Sequence, residues 1–529
     1  MTKTSDSGST PSGRSRASAR VSSGIFLSRI SGLVRERIFA HYFGASPFAD
    51  AWRAALRMPN VLQNLLGEGT LSASFIPVYS RLAEDGRHGD RARFAGAVFG
   101  LLTMTAGALA FLGIVSAPVL VGVFFDGFDA ERQALTVDLV RILFPMTALL
   151  VISAWALGIL NSHERFFLPY VAPVAWNAAI IVAMVTGAIW WGLSGEDLAR
   201  VLAWGALIGG GLQLGVQLPS ALRLLGEFRP SLSLEAFGVR QAIRDFVPVV
   251  AARGAVNLGG WLDFTLAAYL ATGAVAFLGY AQTLYLLPIS LFGMSVAASE
   301  LPELSRARTG ASALAAPVAS AMHRVGYFLI PSTLAYIFLG GVITSALYET
   351  GEFGRSEVTV TWAVLAAYAL GMPASAASRV LSSTFYALRD TRTPARIAYV
   401  RVVLSLGAGF ALMFPMDGFT VDSLRLGASG LALGASIAAW TEFALLRRAL
   451  QRSIGAHGMG GGRLVRLLLA GALGAGTGVL SLLIIPDVHP WLRALGTLVP
   501  FGSVYLMFTV LFGVSQPLRD LRSPSRFAR

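Results

Sequence analysis

Between residues 28 and 77 an otherwise apolar, helix-forming stretch carries Arg29, Arg35, Glu36, Arg37, Asp50, Arg53, Arg57 and Glu68. Guanidinium groups are planar forks of donors that suit phosphate and carboxylate, so these residue types point to recognition of an anion. Asp50, Arg53, Arg57, Asn64 and Glu68 recur at spacings of three, four and seven, which places them on one face of a helix. A central charge facing lipid costs roughly 2.5 to 3.5 kcal/mol even on lenient insertion scales, so this face must line a water-filled or protein-lined cavity. Acids alternate with the arginines and Pro59 interrupts the stretch, a pattern unlike a basic helix lying flat on a bilayer. The expectation is a cavity-lining transmembrane pair, kinked at Pro59.

The surroundings agree with a bilayer. Of 529 residues 55% are hydrophobic and only 13% charged, with a mean hydropathy of +0.64. The formal net charge of +13 is carried almost wholly by arginine, and its placement at the ends of apolar segments argues for membrane topology and against a nucleic-acid partner. There is no cysteine, which excludes disulfides, thiolate metal sites and cysteine nucleophiles. The six histidines lack metal-ligand spacing. No glycine-rich phosphate loop, HExxH or GxSxG is found, so neither an enzyme nor a cofactor or metal protein is expected.

Fourteen apolar segments are long enough to cross about 30 Å, near 22–42, 48–80, 94–124, 134–160, 168–191, 198–222, 246–271, 275–300, 325–348, 358–388, 397–415, 426–446, 465–486 and 491–514. The tail and alternate connections carry one to five basic residues each, whereas the intervening connections carry none or one. That bias predicts both termini in the cytoplasm. The chain then divides into a disordered cytoplasmic tail (1–21), an amino-terminal six-helix lobe (22–222), an amphipathic cytoplasmic linker (223–245) and a second six-helix lobe (246–446). A cytoplasmic loop (447–464), a carboxy-terminal helix pair (465–514) and a basic cytoplasmic tail (515–529) follow.

An internal repeat supports the two lobes. Pro77 and Pro302 are 225 residues apart, each followed in step by a Ser-Arg pair (Ser80-Arg81 and Ser305-Arg306), and Pro169 and Pro394 share the same offset. Parallel repeats of six spans each are the reading that follows. In the second half Arg253 and Asp263 fall in span 7 and Arg379 in span 10, and Arg253, Asn257 and Gly260 share a face. The internal arginines outnumber Glu36, Asp50, Glu68 and Asp263, so the expected cavity is cationic and fits an anionic headgroup with a lipid tail.

The strings SRISGLVRERIFAHYFGASPFADAW, RMPNVLQNLLGEGTLSASFIPVYS and FYALRDTRTPARI resemble the MurJ (MviN) lipid II flippases of the multidrug/oligosaccharidyl-lipid/polysaccharide flippase superfamily. The resemblance implies a bacterial cytoplasmic-membrane flippase that moves undecaprenyl-diphosphate-linked peptidoglycan precursor outward by alternating access. It also implies spans 13 and 14 as a groove for the lipid tail, and cell wall or division proteins as partners. By position, the site it implies takes Arg29, Arg35, Arg57 and Arg379 as cationic groups and Asp50 and Glu68 as acids. The chain departs from the pattern at Gln63 and Asn64, where the family has arginine. It departs again at Ala281-Gln282-Thr283, where span 8 of the family reads Ala-Asp-Arg. Arg253, one helix earlier, is the expected replacement for that lost cation. Other readings left open are a flippase for a different lipid-linked oligosaccharide and a transport-dead scaffold for envelope assembly.

Overall fold

A computed structural model describes residues 11–293, 314–486 and 488–517. Side chains of residues 11–22, 68, 251–259 and 292–293 lie outside the described set, and with them those of Glu68 and Arg253. The same holds for the repeat partner Pro302 with Ser305-Arg306, and for most of the basic tail expected at 515–529.

The first helices are α1 (Pro11–Phe43), α2 (Pro47–Leu66), α3 (Glu68–Glu84), α4 (His88–Phe124), α5 (Ala130–Ser162), α6 (Phe167–Ile189), α7 (Gly195–Leu225) and α8 (Val239–Ala267). They are followed by α9 (Ala274–Pro288), which passes into a π turn at Ile289–Gly293, then α10 (Ala315–Phe338), α11 (Gly340–Tyr348) and α12 (Arg355–Ala387). The last four are α13 (Arg392–Asp417), α14 (Gly427–Ile454), α15 (Gly461–Ile484) and α16 (Pro490–Leu511). Among the described residues the only sheet is a two-stranded hairpin, β1 (Thr420–Val421) with β2 (Leu424–Arg425).

This is an all-α polytopic membrane architecture. Among the described residues ten helices are long and apolar enough to cross a membrane, and α10 with α11, bent by 79°, would make an eleventh. The three other places where the sequence reads as a span are α1, the broken pair α2–α3, and α8, all of which carry charged residues. Long apolar faces such as Phe111, Val115 and Val119 on α4 stand exposed, at 61% or more, as lipid-facing surface does. Backbone hydrogen bonds closed within each helix are what lipid demands, since it offers no partner to an open one.

Two differences from the sequence reading concern boundaries. Helix α1 begins at Pro11, inside the tail expected to be disordered to residue 21; the Ala- and Arg-containing run has fair helix propensity and simply extends the first span. The stretch 223–245 is not one amphipathic element. Helix α7 reaches Leu225 and α8 starts at Val239, with an extended strap between them.

The chain forms two compact units, one comprising residues 1–43 and 47–261 and the other 44–46 and 262–529. The division therefore falls within α8 and not at residue 246. Its first turns belong to the first unit because Val239 and Ala242, with Phe246 and Val250 beside them, pack into that unit's core of Phe75, Tyr79, Phe94 and Trp155. The Trp155 indole is fully buried and donates to the Ala95 carbonyl at 3.1 Å. The strap lies directly on α4. Gly96 and Gly100 permit the approach, since a methyl group on either would stand 2.1 or 2.2 Å from the Arg229 or Ser231 carbonyl oxygen. Ser231 N donates to Gly96 O, and Phe228 packs edge-on against Phe99.

In the second unit α13 and α14 meet through glycines. A methyl at Gly434 would lie 2.3 Å from the Gly409 nitrogen and one at Gly430 2.5 Å from Leu412 O, the small-residue packing that lets membrane helices touch backbone to backbone. The carboxy-terminal pair docks on α10: Leu467 and Ala470 of α15 and Tyr505 of α16 cluster with Tyr327 and Ile330, and the Tyr505 hydroxyl donates to Tyr327 O. Pro169 and Pro394, paired by the repeat, both occupy the third position of their helices, α6 and α13.

Candidate substrate-binding site

The charged stretch folds into α1, a short turn through Gly44, and α2. Gly44 has φ +53, a left-handed value that glycine adopts without strain. Helix α2 runs on past Pro59 to Leu66, and the interruption comes at Gly67, whose extended backbone (φ −83, ψ −151) precedes α3. Glu68 thus starts a new helix and does not continue the Asp50–Asn64 stripe. Along that stripe exposure rises: Asp50 is buried, Arg53 and Arg57 are half-buried, and Asn64 is exposed.

The best-defined feature is a node at Glu36. Its Oε1 accepts from Arg35 Nη2 at 2.7 Å and its Oε2 accepts a short bond from Arg53 Nη2, so one carboxylate from α1 is clamped by guanidiniums of α1 and α2. Arg35 Nη1 also donates to Asn177 Oδ1 of α6 at 3.0 Å, and Asn177 Nδ2 donates to Ser31 Oγ at 2.8 Å. The Arg35 guanidinium lies 4.8 Å from the centre of the Trp176 ring, and that of Arg53 lies 5.0 Å from Phe39. Stacking on Trp176 and bonding through both terminal nitrogens fixes the Arg35 fork in place, while Arg53 rests on the Phe39 face and Glu36.

Asp50 anchors a second node. Arg132 Nη1 approaches Asp50 Oδ2 at 3.4 Å and its Nε donates to Asp129 Oδ2 at 2.6 Å, while Asp129 Oδ1 caps α5 by accepting from Arg132 N. Asp129 is held below the usual carboxylate range chiefly by that backbone hydrogen bond, helped by the Arg132 side chain. The carboxylate read from sequence as a cavity acid thus ties the start of α2 to the start of α5.

Arg29 and Arg379 are exposed on α1 and α12. In the second unit Asp263 is 8% exposed and lines a cavity of about 190 Å³ with Gln282, Tyr285, Tyr368, Ser375 and Arg401. Gln282 Nε2 donates to the Tyr368 hydroxyl at 3.1 Å, and the Tyr285 and Tyr368 rings stand 5.3 Å apart. Arg401 donates through Nη1 to Glu442 Oε2 at 2.7 Å, joining α13 to α14. The structure therefore brings Arg35 and Asp50 into networks that include Glu36, Arg53 and Arg132, and it places Asp263 in a separate cavity of the other unit.

Glu442, Arg401 and Arg132 are the residues that sequence reasoning passed over. Arg401 and Arg132 fall at the edges of connections when spans are drawn by hydropathy, yet both sit on helices. Glu442 carried a usable signal: it is the lone acid in an apolar helical run, and such a residue calls for a buried partner. Among the described residues no group of histidines and acids could hold a metal ion.

The helical units, with their buried arginine networks, form a multi-pass membrane fold that solved transporters share. An inward-facing MATE-family multidrug resistance transporter of the MOP superfamily matches with a TM-score of 0.64 at 14% identity, covering 82% of this chain and 98% of that one. The narrower assignment comes from sequence. The family described as lipid II flippase MurJ matches residues 39–492, and the chain belongs to that family. A lipid II flippase MurJ of Burkholderia cenocepacia is 31% identical over 421 residues, 78% of this chain and 80% of that protein. A probable lipid II flippase MurJ of Rhizobium meliloti is 32% identical over 431 residues, 79% and 77% of the two chains. A solved lipid II flippase MurJ in an inward closed conformation shares the fold, with a TM-score of 0.77 at 24% identity over 93% of this chain and 98% of that one.

Proposed function

We propose that the protein is a flippase that carries lipid II, the diphosphate-linked peptidoglycan precursor, across the bacterial cytoplasmic membrane by alternating access, with both termini in the cytoplasm. The observation that carries the reading is the concentration of arginine on α1 and α2, inside a transporter fold, in a chain of the lipid II flippase MurJ family. A diphosphate offers several anionic oxygens, and guanidinium forks are the side chains best matched to them. Arg29, Arg35, Arg57, Arg253 and Arg379 are the proposed headgroup cations, and Asp50, Asn64, Glu68 and Asp263 the proposed acidic and polar groups. Arg253 is assigned on sequence position alone.

Complementation tests this directly. The full chain should restore growth to cells depleted of their own lipid II flippase, and Arg29→Ala or Arg57→Ala should abolish the rescue while the protein still reaches the membrane. An Arg57→Ala variant that rescues normally would remove headgroup binding from the account and favour a scaffolding role in envelope assembly. A second reading, a flippase for another lipid-linked oligosaccharide, rests on Gln282 and Thr283 standing where span 8 of the family carries Asp-Arg. Rescue of a glycan-export defect but not of wall synthesis would select it. Arg253→Ala that rescues as well as the unmutated chain would show that Arg253 does not replace the missing span 8 cation.

A further inference from the structure

We propose that the strap joining α7 to α8, with the first two turns of α8, docks on the anionic headgroups of the surrounding bilayer. Leu232, Leu234 and Phe237 are its apolar anchors, and Arg240 and Arg244 its contacts with lipid phosphate. The surface recognises the membrane's own phospholipid, so it stands independently of what the protein carries.

Depth is the first observation. The lipid-facing stripe of α4 begins at Met104 and ends at Val123, with Phe111, Val115 and Val119 exposed between them. At ~1.5 Å per residue that stretch is about 28 Å long, close to the thickness of a hydrocarbon core. The strap meets α4 at Gly96 and Gly100, about 6 to 12 Å before Met104 along the helix axis, which is the headgroup layer.

Composition at that depth is the second. Leu232, Leu234 and Phe237 are 56%, 49% and 53% exposed on a strap that is held in one conformation. Ser233 N donates to Ser231 Oγ at 3.1 Å and Glu235 N to Ser233 Oγ at 3.2 Å, so the serines satisfy the backbone and the leucines stand clear of it. Amides already bonded can enter a medium of low polarity at little cost.

Helix α8 supplies the charge. Its Val239 and Ala242 are buried in the core, whereas Arg240, Ile243, Arg244 and Val247 are exposed and fall within about 100° of arc. Asp245 lies outside that arc. Among the described residues Arg240 and Arg244 have no ion-pair partner, unlike Arg87, which lies 4.0 Å over the Phe237 ring but is bonded to Asp90. Arginines beside apolar side chains on one face suit an anionic interface, where the apolar groups sink and the guanidiniums stay among the phosphates. Each such cation strengthens attachment to an anionic surface by about fivefold, and salt weakens it.

The test uses the full chain in nanodiscs of phosphatidylcholine alone or mixed with phosphatidylglycerol. Trypsin cleavage after Arg229 should be at least about fivefold slower in the mixed discs, and Arg240→Gln/Arg244→Gln should remove the difference. Cleavage after Arg452, exposed near the end of α14, controls for the protease's own response to lipid. The chain has no cysteine, so Leu234→Cys carries a single nitroxide. Its collisions with a water-soluble nickel chelate should fall between neutral and mixed discs, while a nitroxide on Val115→Cys stays shielded in both. Equal cleavage after Arg229 in the two lipids, or a difference preserved in the double arginine variant, overturns the proposal. A nitroxide on Leu234→Cys that stays open to the chelate in mixed discs also overturns it, and is the result expected if the leucines await a protein partner. Slower cleavage in neutral discs on adding inorganic phosphate would make the arginines a site for free anions and refute the lipid surface as their ligand.

Discussion

Arg401→Met isolates the ion pair that sequence reasoning missed. Arg401 lies nine residues into α13, about 14 Å along the helix axis, and its partner Glu442 on α14 has a side chain only 10% exposed. At 2.7 Å the attraction is about 6 kcal/mol at an effective dielectric near 20. Desolvation of both groups offsets much of it, so the pair itself contributes little net stability. Loss of one partner is another matter, because the other is left charged and buried, at a cost of about 3 to 5 kcal/mol for fully buried pairs. The Arg401 side chain is 38% exposed, so the lower end, about 3 kcal/mol, is expected for Arg401→Met, which strands Glu442. Glu442→Gln strands the more accessible Arg401 and should cost about 1 kcal/mol. The double variant Arg401→Met/Glu442→Gln should be more stable than Arg401→Met alone. Chemical unfolding in detergent, read by tryptophan fluorescence, measures all three. Equal small losses in the two single variants, or additive losses in the double, would refute the reasoning, since either result means that the two charges do not depend on one another.

His163 caps α5 and its Nε2 lies 3.0 Å from the Tyr79 hydroxyl; burial, with help from Arg91 and Arg165, pushes its pKa below 6.5. The unfolded chain therefore binds more protons in acid, so the contribution is intact above pH 6.5 and is lost as pH falls below it, and Tm should decline from pH 7 to 5.5 with a shallower slope in His163→Gln. Gly96→Ala sets a methyl 2.1 Å from Arg229 O and should destabilise by about 1 to 3 kcal/mol; limited trypsin cleavage after Arg229 should accelerate as the strap lifts from α4. Gly434→Leu forces α14 away from Gly409 of α13 and should lower Tm by several degrees, an effect absent at Gly407, where a methyl meets nothing within 4 Å. Arg29→Ala should leave Tm unchanged, because Arg29 is exposed, whereas Arg35→Ala should lower it by releasing Glu36, Asn177 and Trp176; a reversed order of the two in melting experiments would contradict the network.

The fold was largely legible because lipid enforces a simple rule: apolar runs of sufficient length become helices, whatever their neighbours. Among the described residues, each segment read as a span falls on a helix or a broken helix pair, and ten or eleven of them are long and apolar enough to cross a membrane. Boundaries were harder. Hydropathy drew the end of span 10 near residue 388 and the start of span 11 at 397, whereas α13 begins at Arg392, because polar residues at a helix end are as helical as the apolar ones. Span 2 was expected to kink at Pro59; α2 runs through that proline, and the helix ends at Gly67. A membrane helix can absorb the hydrogen bond that proline removes, but a glycine in extended geometry ends the ladder outright.

The candidate site was legible in composition and not in pairing. Periodicity puts Asp50, Arg53 and Arg57 on one face, yet it cannot say that Asp50 meets Arg132 of α5 while Arg53 meets Glu36 of α1, since partners 17 and 82 residues apart are set by packing. The consequence bears on mechanism. Arginines counted together as one cationic patch divide by environment into clamped groups, Arg35 and Arg53, and exposed ones, Arg29 and Arg379. An exposed arginine can meet an arriving anion at once, but a clamped one must first release a carboxylate.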